Sequence, residues 1–274
     1  MPEKKLKDIE KRLRELPSFA IAFSGGVDSS FLLAVAKKTN PQKLLAITVS
    51  SQFVPEREIE SARKIARLTG VEHICLDVNI LGNKDVAENT FERCYYCKKQ
   101  IFALIRKTGL DLGVQYMMHG VNLDDLKDFR PGLKAAKELG FISPLADAKL
   151  DKKDIRLLSK QMGLETWDKP SQSCLATRIP YNETIKSEDL VMVDRAEAFL
   201  QGLGFAKVRV RCHGKAARIE VLPDLVENVM NEKIRQKISM AFAKVGFEHT
   251  SIDIDGYKQG KMNYAIQENL KPQP

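Results

Sequence analysis

Apolar positions in the first half of the chain fall into short unbroken runs separated by longer stretches with helical spacing. Phe19-Ala20-Ile21-Ala22-Phe23 is a continuous apolar run stopped by a Gly pair, the profile of a strand covered on both faces. A helical pattern follows to about Lys38, and the run from Lys43 to Ser50 predicts a second strand. Pro55 sets the first turn of a helix over 56–69. Residues 73–78 predict a third strand, 91–107 a helix and 114–119 a fourth strand, with further helical patterns near 133–139 and 152–162. Strands alternating with helices are βαβ units, so the expected fold class is α/β, a doubly wound parallel sheet.

Beyond about residue 180 the pattern changes. A helical stretch over 190–203 ends at Gly202 and Gly204, and two alternating runs, 208–211 and 217–221, flank a Gly-containing turn. A long helical pattern over 225–245 leads to a strand over 250–254. Helix, hairpin, helix and strand predict a smaller C-terminal α+β domain. The boundary is expected near Pro180, giving domains 1–180 and 181–274. No internal repeat or low-complexity tract is visible.

Composition narrows the class. Of 274 residues, 43% are hydrophobic and 29% charged, and the mean hydropathy is −0.27, which excludes disordered and fibrous chains. No apolar run approaches the ~20 residues of a membrane span, and the first residues lack the apolar core of a secretory signal. A cytoplasmic protein with no membrane association, assembled as a homo-oligomer, is expected. Lys and Arg number 44 against 36 Asp and Glu, a net charge of +8. That surplus suits phosphorylated ligands or nucleic acid, yet it is scattered, so it decides nothing alone.

The chemistry starts at Ser24-Gly25-Gly26-Val27-Asp28-Ser29-Ser30, between the first strand and the first helix of the sheet. Glycines let backbone N–H groups face a ligand without a Cβ in the way. Serine hydroxyls add donors, and the helix N-terminus adds the positive end of its dipole. Together they form an anion cradle. The string is neither a Walker A loop nor a dinucleotide fingerprint. It resembles the pyrophosphate loop of the N-type ATP pyrophosphatases, which implies ATP cleaved between its α- and β-phosphates with magnesium. Ser24, Gly25, Gly26, Val27, Ser29 and Ser30 would then hold pyrophosphate, and Asp28 would organise the metal–phosphate site. Asp124 and Asp125, after the fourth strand, suit either a ligand role or a helix cap.

There are five cysteines, Cys75, Cys94, Cys97, Cys174 and Cys212, an odd count that argues against a disulfide framework. Cys75 reads as core and Cys212 as structural. Cys94 and Cys97 begin a helical pattern, and Cys174 lies in a loop. Zinc usually takes four ligands, and no second Cys-x-x-Cys or His pair is present. Three thiolates suit a [4Fe–4S] cluster with one iron open to sulfide.

Four strings, Ser24–Ser30, Arg93–Lys98, Ser173–Tyr181 and Arg209–Glu220, together resemble the LarE family of ATP-dependent sulfur transferases over nearly the whole chain. The resemblance implies adenylation of a nucleotide-like pyridinium carboxylate and its conversion to a thiocarboxylate, as in nickel-pincer nucleotide synthesis. In one group of that family a single cysteine sacrifices its sulfur; in another, three cysteines are associated with a [4Fe–4S] cluster that relays sulfide. Cys94, Cys97 and Cys174 match the second group. Arg209 and Arg211 alternate on one strand and share a face suited to a phosphate. Glu197 and Glu220 would be acidic partners with a metal-linked role, and Trp167 suits either ring stacking or core packing. Two other readings fit the loop: a tRNA-thiolating enzyme, disfavoured by the lack of a clustered basic stripe, and a non-catalytic nucleotide-binding iron–sulfur protein.

Overall fold

The computed structural model describes residues 1–127 and 131–258. Its elements begin with α1 (Pro2–Arg14), β1 (Ser18–Ala22), α2 (Val27–Lys38), β2 (Lys43–Ser50), α3 (Glu56–Thr69) and β3 (Glu72–Asp77). Next come α4 (Lys84–Ala87), α5 (Arg93–Asp111), β4 (Tyr116–His119), α6 (Pro131–Glu138), β5 (Phe141–Ile142), α7 (Pro144–Asp147) and α8 (Lys152–Gln161). The last are α9 (Ser187–Gly202), β6 (Val208–His213), β7 (Ala216–Val221), α10 (Val226–Met230), α11 (Glu232–Val245) and β8 (His249–Ile252). No helix among the described residues is long and apolar enough to cross a membrane.

The chain divides into two compact units, one of residues 1–80 with 92–172, the other of 81–91 with the residues from 173 onward. In the first, five parallel strands lie in the order β3-β2-β1-β4-β5. Successive residues of β1 point to opposite faces. Phe19 and Ile21 join Ile9, Phe31, Ala62 and Ile155 in one core, so α1, α2, α3 and α8 cover that face. Ala20 joins Phe102, Ile105 and Ala136 in the other, under α5 and α6. This double burial explains the unbroken apolar runs of β1 and β2, whose two faces are both covered. The chain winds from β1 outward to β3, then returns to place β4 on the other flank of β1. The strand order therefore reverses between β1 and β4, and the crevice beyond their C-terminal ends is where such sheets hold ligands.

The second unit has a three-stranded sheet in the order β6-β7-β8, with β6 and β7 antiparallel and β8 parallel to β7. Register places Arg209 opposite Glu220 and Arg211 opposite Arg218. Helix α9 buries Leu190, Val193 and Leu200, and α11 buries Ile238 and Phe242. The early segment 81–91 is stitched into this unit. Ile185 N–H donates to the Ala87 carbonyl at 2.8 Å and Asn182 N–H to that of Asn89 at 3.0 Å. The Phe91 and Tyr181 rings stand 4.7 Å apart.

Three features differ from the sequence reading. The helix expected over 225–245 is broken at Asn231, which is extended and caps α11 by accepting from Lys233 N–H at 3.1 Å; asparagine competes with the helix backbone and favours such caps. The contacts divide the chain at 172/173 and at both ends of 81–91, whereas the expected boundary lay near Pro180. Cys75, read as core, is half-buried on the edge strand β3 with the Arg63 guanidinium 3.6 Å from its sulfur.

Asn89 is fully buried with φ of 57°, and its amide donates to the Pro180 carbonyl at 2.6 Å. Asn89→Ala is expected to destabilise the protein by about 2–4 kcal/mol, combining a lost buried hydrogen bond with a left-handed backbone that alanine resists. Urea denaturation followed by circular dichroism measures it; a loss below ~0.5 kcal/mol would show that this tie contributes nothing.

Candidate active site

The loop after β1 is shaped by its glycines and leaves donors open. Gly25 is left-handed, with φ of 66°, and a Cβ there would lie 2.8 Å from Ala62 Cα, so the loop crest rests directly on α3. Gly26 is extended and begins α2, whose N-terminus has no side-chain cap. Its first-turn N–H groups therefore remain for a ligand. The exposed Ser24 and buried Ser29 hydroxyls stand 3.1 Å apart, and Ser29 Oγ also donates to the Gly26 carbonyl at 3.3 Å. Val27 is buried against the core, and the buried Ser30 hydroxyl has no hydrogen-bond partner.

The segment after β4 closes on this loop. A Cβ at Gly120 would lie 2.9 Å from Ser29 N and 3.0 Å from Asp28 C, so only glycine lets the two backbones meet. Asn122, fully buried, accepts from Asp124 N–H at 2.9 Å and Asp125 N–H at 3.2 Å. Asp125 accepts from Asn122 N–H at 3.2 Å. Asp124 takes the Lys152 N–H at the start of α8 and the Lys127 ammonium, both at 3.0 Å, and these bonds hold its pKa low. Asn122 caps the turn that carries the aspartate pair, while each aspartate carboxylate accepts one backbone N–H of its own. Asp28 is different: Oδ1 is buried with no hydrogen-bond partner, as is Asn122 Nδ2. Burial pushes the Asp28 pKa up, Lys152 opposes that, and Asp125 adds to it. A partly desolvated carboxylate oxygen beside an anion cradle is chemically suited to a hard cation.

Cys94 and Cys97 are half-buried in the first turn of α5, in the first unit. Cys174 is exposed and belongs to the second unit, directly before a 3-10 turn over Leu175–Arg178. Thiolates are suitable ligands for a cluster, but among the described residues no three His, Cys, Asp or Glu side chains are gathered to hold a metal. Cys212 is buried, and burial pushes its thiol up to about 12, consistent with an inert role.

The Cys174 backbone is braced by a residue the sequence reading had not singled out. Arg178 is 1% exposed and pairs bidentately with Glu197, at 2.8 and 2.9 Å. Its remaining nitrogen donates to the carbonyls of Ser173, at 2.9 Å, and Cys174, at 3.0 Å. Glu197 also accepts the Val210 N–H at 3.0 Å. Arg211 pairs in the same forked way with the buried Glu220, at 2.9 Å on both arms, and donates to the Thr177 carbonyl. Glu197 and Glu220, expected to be acidic partners with a metal-linked role, thus have their carboxylates committed to guanidinium groups. Arg209 and Arg211, read as a matched pair, also separate. Arg211 is tied up, whereas Arg209 is buried, makes no ion pair among the described residues, and stacks 5.4 Å from the Tyr257 ring centroid. Burial, reinforced by Arg178, lowers its pKa.

Lys152, Lys169 and Asn122 around the phosphate loop were also missed, because nothing in their local pattern marks them. Trp167 is partly exposed, with the Lys160 ammonium 4.6 Å above its ring.

Residues 5–109 match the asparagine synthase family model. The chain is 40% identical to an uncharacterized protein of Synechocystis sp., covering 97% of this chain and 99% of that protein. It is 30% identical to pyridinium-3,5-bisthiocarboxylic acid mononucleotide synthase of Lactiplantibacillus plantarum, covering 93% of this chain and 92% of the relative. An uncharacterized protein of Methanocaldococcus jannaschii is 31% identical, over 93% and 98%.

His119, at the C-terminal end of β4, is buried with Nε2 2.7 Å from Ser143 Oγ. Burial, aided by Lys98, pulls its pKa from 6.5 to about 4. The unfolded chain binds this proton more readily, so stability from a neutral His119 is complete above about pH 6.5 and is lost as pH falls toward 4. Denaturant titrations at pH 7.5 and 5 should differ by about 2 kcal/mol through this residue. His119→Gln should remove that part of the slope; an unchanged slope would assign it elsewhere.

Proposed function

The chain belongs to the LarE family of ATP-dependent sulfur transferases, and we propose that its loop Ser24–Ser30 drives adenylation of a pyridinium carboxylate whose new sulfur comes through Cys94, Cys97 and Cys174. A carboxylate oxygen of the substrate attacks the α-phosphorus of ATP, the α–β phosphoanhydride bond breaks, and pyrophosphate leaves. Sulfur then attacks the activated carbonyl and AMP departs, leaving a thiocarboxylate. The observation that carries this reading is the uncapped start of α2 behind Gly25 and Gly26, with the orphaned Asp28 oxygen beside it. Main-chain N–H groups there suit the leaving pyrophosphate, an electrostatic role that grows with the developing charge. Asp28 would hold magnesium, which when bound offsets the charge on the leaving phosphates.

Substrate phosphate is assigned to Arg209, supported by its unpaired guanidinium, with Arg211 in a bracing role beside it. Cys94, Cys97 and Cys174 would together ligate a [4Fe–4S] cluster; such a cluster supplies an iron position open to sulfide. The support for that part is the chemistry of three thiols, two of them one helical turn apart. A second reading has a specific observation in its favour. Cys174 is exposed and its carbonyl is gripped by Arg178 and the Thr177 hydroxyl. In that case the Cys174 thiolate attacks the adenylate, and loss of its Cα proton with cleavage of its Cβ–S bond leaves dehydroalanine.

Substrate-dependent turnover should release pyrophosphate and AMP in equal amounts, and Asp28→Ala should reduce it at least ~100-fold without unfolding the protein. ADP and orthophosphate as products would overturn the assignment. Anaerobic preparation with iron and sulfide assays, followed by intact-protein mass spectrometry after reaction, separates the two sulfur sources. The cluster reading expects iron that is lost in each of Cys94→Ala, Cys97→Ala and Cys174→Ala, with Cys174 unmodified after many turnovers. An iron-free protein lighter by about 34 Da after one turnover would assign the sulfur to Cys174 itself.

A further inference from the structure

The Lys169 ammonium is held at three points. Nζ lies 3.1 Å from the Gly25 carbonyl, 3.0 Å from Ser61 Oγ and 2.9 Å from Glu58 Oε2. An ammonium has three N–H donors and no acceptor, so these three acceptors use it fully. It has no donor left for a phosphate oxygen. Glu58, Ser61 and Ala62 are spaced to share one face of α3, the face on which the crest of the phosphate loop rests at Gly25.

The backbone carrying Lys169 is itself fixed. Arg156, on α8, donates to the Trp167 carbonyl at 2.8 Å and to the Lys169 carbonyl at 2.7 Å. The peptide between Gly25 and Gly26 is planar and trans, so its C=O and N–H point in opposite directions. A carbonyl drawn toward Lys169 therefore turns the Gly26 N–H the other way, to the exposed side, where it donates to the exposed Ser24 hydroxyl at 3.4 Å. Without the ammonium, that carbonyl loses its partner and the peptide is released to rotate. Glycine on both sides makes such rotation easy.

We propose that Lys169 is a positioning residue for pyrophosphate recognition, which acts by holding the Gly25–Gly26 peptide so that its N–H faces the bound phosphates. This rests on the reading of Ser24–Ser30 as the ATP site. It differs from a direct lysine–phosphate contact, in which the ammonium would touch the ligand and Arg would substitute poorly for geometry alone.

Calorimetric titration of the full-length protein with magnesium pyrophosphate, ATP and AMP tests it without requiring turnover. Lys169→Met should bind pyrophosphate and ATP roughly 10–100-fold more weakly, the range of a charge-assisted contact, while AMP affinity stays within about twofold. Lys169→Arg, which can still reach the carbonyl, should recover part of the loss. Where Lys169→Met fails to fold, Ser61→Ala and Glu58→Gln each remove one anchor and should shift pyrophosphate affinity in the same direction, several-fold. Wild-type affinity for pyrophosphate in the folded Lys169 variant, or in both anchor variants, would overturn the proposal. So would equal loss of AMP, which marks general disruption. Wild-type protein that binds neither pyrophosphate nor ATP would overturn the loop reading first, and this proposal with it.

Discussion

One guanidinium–carboxylate pair, Arg178 with Glu197, is sealed from water and organises everything around it. A forked pair of this kind has little freedom, since both arms must align at once. Loss of either partner would strand a buried charge, at a cost of about 3–5 kcal/mol. Because the spare donors of Arg178 end on the carbonyls of Ser173 and Cys174, and Glu197 ends on β6, the pair locks a loop, a helix and a strand together. The exposed Cys174 thiol is thereby mounted on a backbone that cannot drift. Reactivity and rigidity are assigned to different atoms of one residue.

The phosphate loop works by a contrasting principle. Around it, polar groups are paired with care: Asp124 with Lys152 and Lys127, Asn122 with the two amides that follow it, Lys169 with its three acceptors. Against that background the open start of α2, the unpartnered Asp28 oxygen and the unpartnered Ser30 hydroxyl stand out. Folded proteins seldom leave buried polar atoms without partners, so local concentrations of them mark where a ligand completes the structure. The left-handed turn at Gly25 is strained for other residues and supported by close packing on α3. Such conformations persist only where neighbours over-determine them.

What could be read in advance follows from the range of each interaction. β1 and β2 were legible because burial on both faces writes itself as an unbroken apolar run, and β3 and β4 from shorter apolar stretches. β5 was not, since two residues carry no period, and α1 was missed although Ile9 and Leu13 anchor it one turn apart. The phosphate loop was legible because its chemistry is contiguous. Arg178 and Glu197 lie nineteen positions apart, and no local pattern predicts their meeting. Alternation along β6 correctly put Arg209 and Arg211 on one face, but it could not tell that Glu220 would engage one guanidinium and leave the other. The grouping of 81–91 with the later residues has no local pattern for the same reason: the hydrogen bond from Asn89 to Pro180 has no signature near either residue.

That split origin of the second unit has a consequence for how the protein is made. Residues 81–91 leave the ribosome while 92–172 still separate them from the sequence they will pack against. At ordinary elongation rates the wait is on the order of ten seconds, long compared with the formation of helices and loops. The sheet of the first unit can close during that interval with the segment held out as a loop. Completion of the later residues then builds their fold onto a strip of chain already tethered at both ends. No single cut in the chain returns either part whole.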